Sequence, residues 1–213
     1  MEWVVLIMGE FASASVINKL RNWFYDECRN LISSKTYCID EIMKALNELV
    51  LEINTMLNVY GKKHHQLLGT TLTLIYIDQN DYCMIHIGDS RLYQIRNKKI
   101  KCLSEDHSVV HRLFKQGKIS KEEINHHEKR NVLTKCIGVN KDIQPQCLKG
   151  KSKVNDCYLL CSDGFWHELN DNDYLDIIKT KALIHEQITN KIQLVKNKGE
   201  KDNITCCLIK VNG

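Results

Sequence analysis

The order of apolar and polar positions predicts helices in the first third of the chain. Over residues 11–29, and again over residues 40–58, apolar side chains recur at intervals of three and four residues. This spacing is typical of an amphipathic helix that buries one face, and Asp40 is placed to cap the second helix. Ahead of both, the apolar run over residues 3–8 predicts a short buried strand.

The pattern changes near residue 70, where it begins to predict β-strands. Three segments rich in β-branched and aromatic side chains follow each other at residues 70–78, 82–87 and 91–95. Polar pairs between and after them supply hairpin turns, so the three segments predict an antiparallel meander. The polar residues 61–66 that precede them predict a loop.

The second half of the chain predicts shorter elements. They are helices at 108–116 and 121–127, a strand at 158–161, a mostly helical stretch over 174–196 and a last strand at 204–211. Helices, then strands, then helices and a last strand are typical of an α+β fold rather than alternating βαβ units. With one proline and no linker-like stretch, residues 1–213 predict a single domain.

Composition and charge exclude several classes of protein. The 213 residues carry a formal net charge of +4, from 30 basic and 26 acidic side chains, and this near balance does not predict nucleic-acid binding. The apolar runs fall short of the roughly 18 residues that a membrane span needs. The stretch MEWVVLIMGEFASAS has no basic residue ahead of its apolar run, so we do not expect a cleaved signal peptide.

The cysteines indicate a reducing compartment. There are ten, and none stands in the Cys-x-x-Cys spacing that is typical of zinc ribbons. Several lie within apolar runs, which favours buried free thiols over disulfides. Because free thiols are typical of the cytoplasm, we expect a cytoplasmic protein.

Three aspartates stand where predicted strands begin or end. Asp89 lies in HIGDS, Asp163 in CSDG and Asp202 in KDNIT. Any one of them could be an ordinary turn residue, because aspartate is depleted inside strands. If the three share a sheet edge, their carboxylates repel one another unless a cation neutralises them. Carboxylate oxygens select Mg²⁺ or Mn²⁺ rather than zinc, and the glycine after Asp163 permits a tight turn beside the ion.

Longer motifs around these aspartates carry a family resemblance. The stretches GTTLTLIYI, HIGDSRLYQIR, LSEDHS followed by RNVLTKCIG, CYLLCSDGFWHEL and KDNITCCLIKV occur in this order over roughly residues 67–211. Together they resemble the metal-dependent protein phosphatases (PPM, or protein phosphatase type 2C) in their compact bacterial form. Residues 108–130 then correspond to the flap of that family.

The resemblance implies a fold, a cofactor and an activity. The fold is a four-layer sandwich of two antiparallel β-sheets flanked by helices. The cofactor is a binuclear Mn²⁺ or Mg²⁺ centre in which Asp163 and Asp202 are ligands of the first metal, while Asp89, with Asp163, belongs to a third and weaker site. The activity is hydrolysis of phosphoserine and phosphothreonine by a metal-activated water, without a phosphoenzyme. The implied partners are phosphorylated proteins and the pathway of a cognate serine/threonine kinase.

Neighbouring residues have expected roles of their own. Asn203 is expected to orient the turn that carries Asp202. We expect Arg91 to form a structural ion pair rather than to contact substrate, and Phe165 and Trp166 to anchor the segment after Asp163 in the core. His167 is expected at the surface, although many relatives have an acidic residue there.

The resemblance stops at the first residues. The family begins with two strands that carry an arginine and an acidic cluster, followed by a strand ending in Asp-Gly-Met-Gly-Gly. Here MGEFASAS, residues 8–15, resembles the start of the next helix, while MEWVVLI contains no Asp-Gly. The sequence therefore predicts a fold that lacks the first strands and their metal-bridging aspartate, through truncation or through loss of half the site. We expect impaired catalysis by residues 1–213; the alternative is a non-catalytic domain that binds a phosphoprotein or regulatory partner.

Overall fold

A computed structural model describes residues 2–6, 10–33, 37–179 and 184–212. The chain divides into two compact units. The first comprises Met1–Asp89 with Asp106–Ser152, and the second comprises Ser90–Glu105 with Lys153–Gly213. Each unit contains an antiparallel β-sheet and α-helices.

The bounds of the elements fix where each motif lies. The strands are β1 (Glu2–Leu6), β2 (Leu72–Asp78), β3 (Asp81–Ile87), β4 (Arg91–Arg96), β5 (Lys99–Cys102), β6 (Gln146–Lys151), β7 (Cys157–Cys161) and β8 (Cys206–Lys210). The helices are α1 (Glu10–Trp23), α2 (Arg29–Ser33), α3 (Ile39–Lys63), α4 (Val109–Lys115), α5 (Asp163–Trp166), α6 (Asp171–Lys179) and α7 (Ile184–Asn197). A π-helical turn, Phe24–Cys28, joins α1 to α2.

The sheet of the first unit has the strand order β1-β2-β3-β6, with every neighbouring pair antiparallel. The β2–β3 hairpin confirms the first two strands of the predicted meander, with Leu72 opposite Ile87. The meander is wrong at its third strand, because β4 pairs with β5 and β7 in the second unit. The chain leaves the first sheet at Gly88, whose φ of +121° ends the strand.

Helix α3 packs one face against the core of the first unit, as its apolar spacing predicted. Its buried apolar positions are Ile42, Leu46, Val50, Ile53 and Leu57. The predicted cap is wrong, because the helix starts one residue before Asp40. Cys38 holds the capping position in extended conformation, and its backbone N–H donates to the Glu41 carboxylate at 3.1 Å. Asp40 instead accepts a hydrogen bond from Lys149 of β6 at 2.5 Å.

The observed bounds of the first elements also differ from the predicted ones. Helix α3 runs to Lys63, so the predicted loop over residues 61–66 begins three residues late. Gly61 is buried, and a Cβ there would lie 2.6 Å from the carbonyl oxygen of Gln66, so glycine lets the chain fold back closely. Strand β1 confirms the strand predicted over residues 3–8 up to Leu6, while Ile7 and Met8 lie outside the described residues.

The sheet of the second unit has the strand order β5-β4-β7-β8, again antiparallel throughout. Strand β7 is buried along its whole length, and the helices α5 and α6 contribute Phe165, Trp166 and Tyr174 to the apolar core of this unit. The mostly helical stretch predicted over 174–196 is confirmed by α6 and α7. Residues 180–183 between them lie outside the described residues.

Three short elements differ from what the sequence pattern predicted. The helix predicted over 121–127 is only a 3₁₀ turn, Ile124–His126, because one buried side chain, Ile124, is too little to support a helix. Strands β5 and β6 were not predicted, since both are polar, β5 is mostly exposed and β6 has no fully buried position. Their sheet pairing stabilises them where their own sequence does not.

The α+β fold with two antiparallel sheets is confirmed. All ten cysteines are free thiols, and Cys28, Cys83, Cys157 and Cys161 are buried. Across the described helices, none combines the length and apolar character that crossing a membrane requires.

The flap, residues 108–130, should exchange its amide hydrogens far faster than the β2–β3 hairpin. Within residues 108–130, Val110 and Ile124 are buried, but most other side chains are exposed and regular structure is limited to α4 and one turn. Few buried contacts permit local opening, whereas β2 and β3 are central strands. Hydrogen exchange read by mass spectrometry should show fast labelling over 116–131 and slow labelling over 72–87. Strong protection throughout the flap would contradict this expectation.

Candidate metal centre

Asp163 and Asp202 lie on two turns that pack directly against each other. Asp163 is the first residue of α5, just after β7, and Asp202 lies in the loop that leads to β8. A Cβ at Gly164 would lie 2.7 Å from the carbonyl oxygen of Asn203 and 3.4 Å from the Cβ of Asp202. The glycine therefore allows the approach that the sequence predicted, and the structure brings these two site residues together.

Ser162 fastens the two turns to each other. Its buried hydroxyl donates to the carbonyl oxygen of Asn203 at 3.0 Å and accepts from the backbone N–H of Thr205 at 3.0 Å. Its own backbone N–H donates to the Thr205 carbonyl at 2.9 Å. The sequence analysis missed this residue, because the role depends on a partner some forty positions away in the chain.

Each carboxylate is also held by its own turn. Asp163 Oδ1 accepts from the backbone N–H of Gly164 at 2.8 Å, and Asp202 Oδ1 accepts from the backbone N–H of Asn203 at 2.7 Å. The orienting role expected for Asn203 therefore comes from its backbone. These short hydrogen bonds fix the direction of both carboxylates before any ligand arrives.

Glu200 adds a third negative charge that the sequence analysis did not identify. One of its oxygens accepts from the backbone N–H groups of Lys201 at 2.8 Å and Asp202 at 2.9 Å. The other lies 4.0 Å from Nδ1 of His167. His167 was expected at the surface, but only 11% of its side chain is exposed, because it packs against the ring of Trp166. The expectation for His167 is thus wrong.

The electrostatics of the pair favour a cation. Burial raises the pKa of the Asp163 carboxyl above its usual value, and the negative charges of Asp202 and Glu200 raise it further, against the lowering effect of the Gly164 N–H. Ionised Asp163 is therefore unfavourable in the protein alone. A positive ion beside it would remove that cost, as expected for a metal ligand.

The donor set fits part of the shell of a hard divalent cation. Within the residues that the structure describes, no group of three or more His, Cys, Asp or Glu side chains is arranged to hold a metal ion. Asp163 and Asp202 would thus supply two carboxylate ligands, and water would supply the rest. Mg²⁺ sites are often built in this way, and Mn²⁺ takes similar oxygen ligands.

Asp89 lies in the first unit, two residues after the end of β3, and is half-buried. Its expected role as a metal ligand stays a prediction. The backbone around it is nonetheless unusual: a Cβ at Gly88 would lie 2.5 Å from the Cβ of Thr71, so this turn also requires glycine.

Arg91 contacts two aromatic side chains of its own unit, while the ion pair expected for it stays a prediction. Its guanidinium carbon lies 3.3 Å from the ring centroid of Trp166, and its Nη1 donates to the Tyr93 hydroxyl at 3.2 Å. Phe165 and Trp166 are buried, which confirms them as core anchors. The helix that begins with Asp163 is therefore held firmly on the sheet of its unit.

Binding of Mn²⁺ should depend on Asp163. The carboxylate is half of the described donor pair, so Asp163→Asn should weaken binding by roughly 10-fold or more while leaving the fold intact. Isothermal titration calorimetry with MnCl₂ on both proteins measures this. Asp142→Asn, an exposed position outside the site, is the matched control and should bind as the parent does. Equal binding by the parent and Asp163→Asn would rule out this ligand.

The same substitution should stabilise the protein when no metal is present. An acid whose pKa is raised in the folded state contributes stability below its ordinary pKa of 3.8, and that contribution is lost as pH rises through the folded pKa. At pH 7, ionised Asp163 therefore costs stability that asparagine would restore. Thermal melting in EDTA should show a higher melting temperature for Asp163→Asn than for the parent at pH 7, and little difference at pH 3. A lower melting temperature at pH 7 would contradict the argument.

Comparison with known proteins shows that the chain is similar to protein phosphatases. The profile of the family described as Protein phosphatase 2C matches residues 10–113. The serine/threonine phosphatase stp of Listeria welshimeri is 31% identical over 175 residues, covering 81% of this chain and 69% of that protein.

Two solved structures of phosphatases are also similar to this chain. The crystal structure of a bacterial serine phosphatase superposes with a TM-score of 0.88 at 27% identity, covering 99% of this chain and 86% of that one. The catalytic domain of the serine/threonine phosphatase PstP, in complex with two manganese ions, superposes with a TM-score of 0.79 at 25% identity, covering 99% of this chain and 87% of that one.

Proposed function

This chain belongs to the protein phosphatase 2C family, and from that premise we propose that it hydrolyses phosphoserine and phosphothreonine esters in other proteins. It is then a metal-dependent serine/threonine phosphatase. The observation that carries the proposal is that Asp163 of the SDG motif and Asp202 of the DN motif lie on neighbouring turns, which Ser162 joins by hydrogen bonds. A structural turn would not require two neighbouring carboxylates whose charges, with that of Glu200, disfavour the ionised form of Asp163.

The residues of the site prepare it for an ion and a phosphate ester. Asp163 and Asp202 would hold Mn²⁺ or Mg²⁺, and the manganese in the PstP structure supports the first of these. Held there, such a cation would supply acidification of a water molecule and neutralisation of charge on the phosphoryl oxygens. Ser162 and Gly164 keep the two carboxylates in place beforehand, so little reorganisation is needed during the reaction.

Two further assignments belong to the proposal. We propose Asp89 as an additional metal ligand, supported by its place in the GDSR motif. We also propose that residues 1–213 act as one phosphatase domain, supported by an alignment that covers 99% of the chain with a single solved phosphatase.

Partners and location follow from the activity. Phosphorylated proteins are its substrates, and we propose that a serine/threonine kinase makes them. We also propose a cytoplasmic location, supported by ten free thiols. The alternative of a non-catalytic phosphoprotein-binding domain is not favoured, because both carboxylates and their supporting hydrogen bonds are present.

The direct test is phosphate release from a phosphothreonine peptide, with a phosphotyrosine peptide of the same sequence as control. It uses high protein concentration and long incubation, because residues 1–213 by themselves are expected to act slowly, and it is repeated with the N-terminal strands of a relative fused to them. Release should require Mn²⁺, should favour phosphothreonine, and should disappear with EDTA or with Asp163→Asn. Release that survives both treatments would contradict a metal-dependent mechanism. Equal release from both peptides would contradict the assigned substrate class.

A further inference from the structure

Both backbone polar groups of Gly88 are bound by histidines. The Gly88 N–H donates to Nδ1 of His107 at 3.2 Å. The Gly88 carbonyl accepts from Nε2 of His86 at 3.1 Å and from the backbone N–H of His107 at 2.7 Å. All three residues are buried, and the two imidazole rings stack with centroids 5.1 Å apart.

These partners determine which ring nitrogen carries hydrogen. A carbonyl oxygen has no hydrogen to donate, so Nε2 of His86 must be the donor to Gly88. An amide N–H can only donate, so Nδ1 of His107 must be unprotonated, and the hydrogen of the neutral imidazole must lie on Nε2. Thr73, which is paired with His86 in the β2–β3 hairpin, holds the remaining nitrogen of His86 through its hydroxyl at 2.9 Å.

His107 also closes the base of the flap. Its carbonyl accepts from the backbone N–H of Thr134 at 2.7 Å, and the next residue along the chain, Ser108, forms a β-bridge with Leu133. The flap therefore begins directly after His107, and its far end returns to lie beside His107 at Leu133 and Thr134. Movement at the base of the flap would be transmitted to Gly88 through the two hydrogen bonds that join it to His107.

We propose that His86 and His107 are positioning residues that fix the Gly88 turn and, through it, the orientation of Asp89. The inference rests on the proposed function, because it takes Asp89 as a metal ligand. Neither histidine contacts the reacting atoms. Their effect is to remove the freedom of a glycine whose φ is +121°, which would otherwise adopt many conformations. Residues that orient a metal ligand commonly change metal affinity when they are replaced.

The test uses amides that imitate one ring nitrogen at a time. Asparagine places its oxygen where Nδ1 lies, so His107→Asn keeps the acceptor for Gly88, whereas His107→Gln does not. Glutamine places its NH₂ where Nε2 lies, so His86→Gln keeps the donor to Gly88, whereas His86→Asn does not. The two positions should thus show opposite preferences, which a general loss of packing would not produce.

Two measurements are made on each variant. The first is amide exchange of Gly88 by NMR in the metal-free protein; it should rise about tenfold or more in His107→Gln and His86→Asn and stay near the parent value in the other two. The second is calorimetric titration with MnCl₂, where the same two variants should lose roughly 10- to 100-fold in the binding that Asp89→Asn also removes. Binding that depends on Asp163 should persist in all four.

The outcomes separate this proposal from the proposed function. Equal Gly88 exchange in the paired variants overturns the positioning role, as does faster exchange with unchanged Mn²⁺ binding. If Asp89→Asn itself leaves Mn²⁺ binding unchanged, Asp89 is not a ligand and the inference fails. Phosphate release that still depends on Asp163 would then leave the proposed function standing.

Discussion

Fusion of the N-terminal strands of a phosphatase 2C relative to residues 1–213 should raise the hydrolysis of p-nitrophenyl phosphate by about a thousandfold or more. The polypeptide of residues 1–213 should by itself show weak or undetectable activity. The structure brings Asp163 and Asp202 together, and two carboxylates with several waters could hold one ion. One ion cannot clamp both the attacking and the leaving oxygen, so several kcal/mol of transition-state stabilisation should be lost.

The matched control is the same fusion with its bridging aspartate changed to asparagine. It restores the strands and their packing but not the carboxylate, so it should regain stability and little activity. Adding Asp163→Ala to the unmodified fusion should abolish the gain. Full activity of residues 1–213 alone, lost in Asp163→Ala, would show that another group completes the site.

The substitution Gly164→Ala should disrupt the site while leaving both of its carboxylates in the sequence. The added Cβ would lie 2.7 Å from the carbonyl oxygen of Asn203, a backbone atom that Ser162 holds in place. The two turns must therefore separate. We expect a loss of about 1–3 kcal/mol in unfolding free energy, or about 2–12 °C in melting temperature, and at least a tenfold loss in Mn²⁺ affinity.

Gly69→Ala is the control for this variant. Its Cβ would meet a methyl group of Val139 at 2.7 Å, which is a similar distance, but Val139 is 39% exposed and its side chain can rotate away. A small loss of stability and no loss of Mn²⁺ binding are expected there. Normal Mn²⁺ binding by Gly164→Ala would show that the close approach of the two turns is not needed for the ion.

The sequence determined the elements whose signal is local. The apolar spacing of α3 and the β-branched runs of β2 and β3 each bury a face or a whole strand, so their periodicity reports their structure directly. The same local logic placed Asp89, Asp163 and Asp202 beside strand ends. The motifs around them, taken together, also identified the family.

Only the tertiary structure decided how those elements and residues combine. Strand β4 joins the second sheet rather than continuing the first, because its partner β7 lies more than sixty residues further along the chain. Ser162 and Glu200 gain their roles from residues that the chain brings beside them, as His107 does from Gly88. Periodicity is carried by neighbouring positions, whereas hydrogen bonds and electrostatic contacts are made between segments that only folding brings together, and so no local pattern could reveal them.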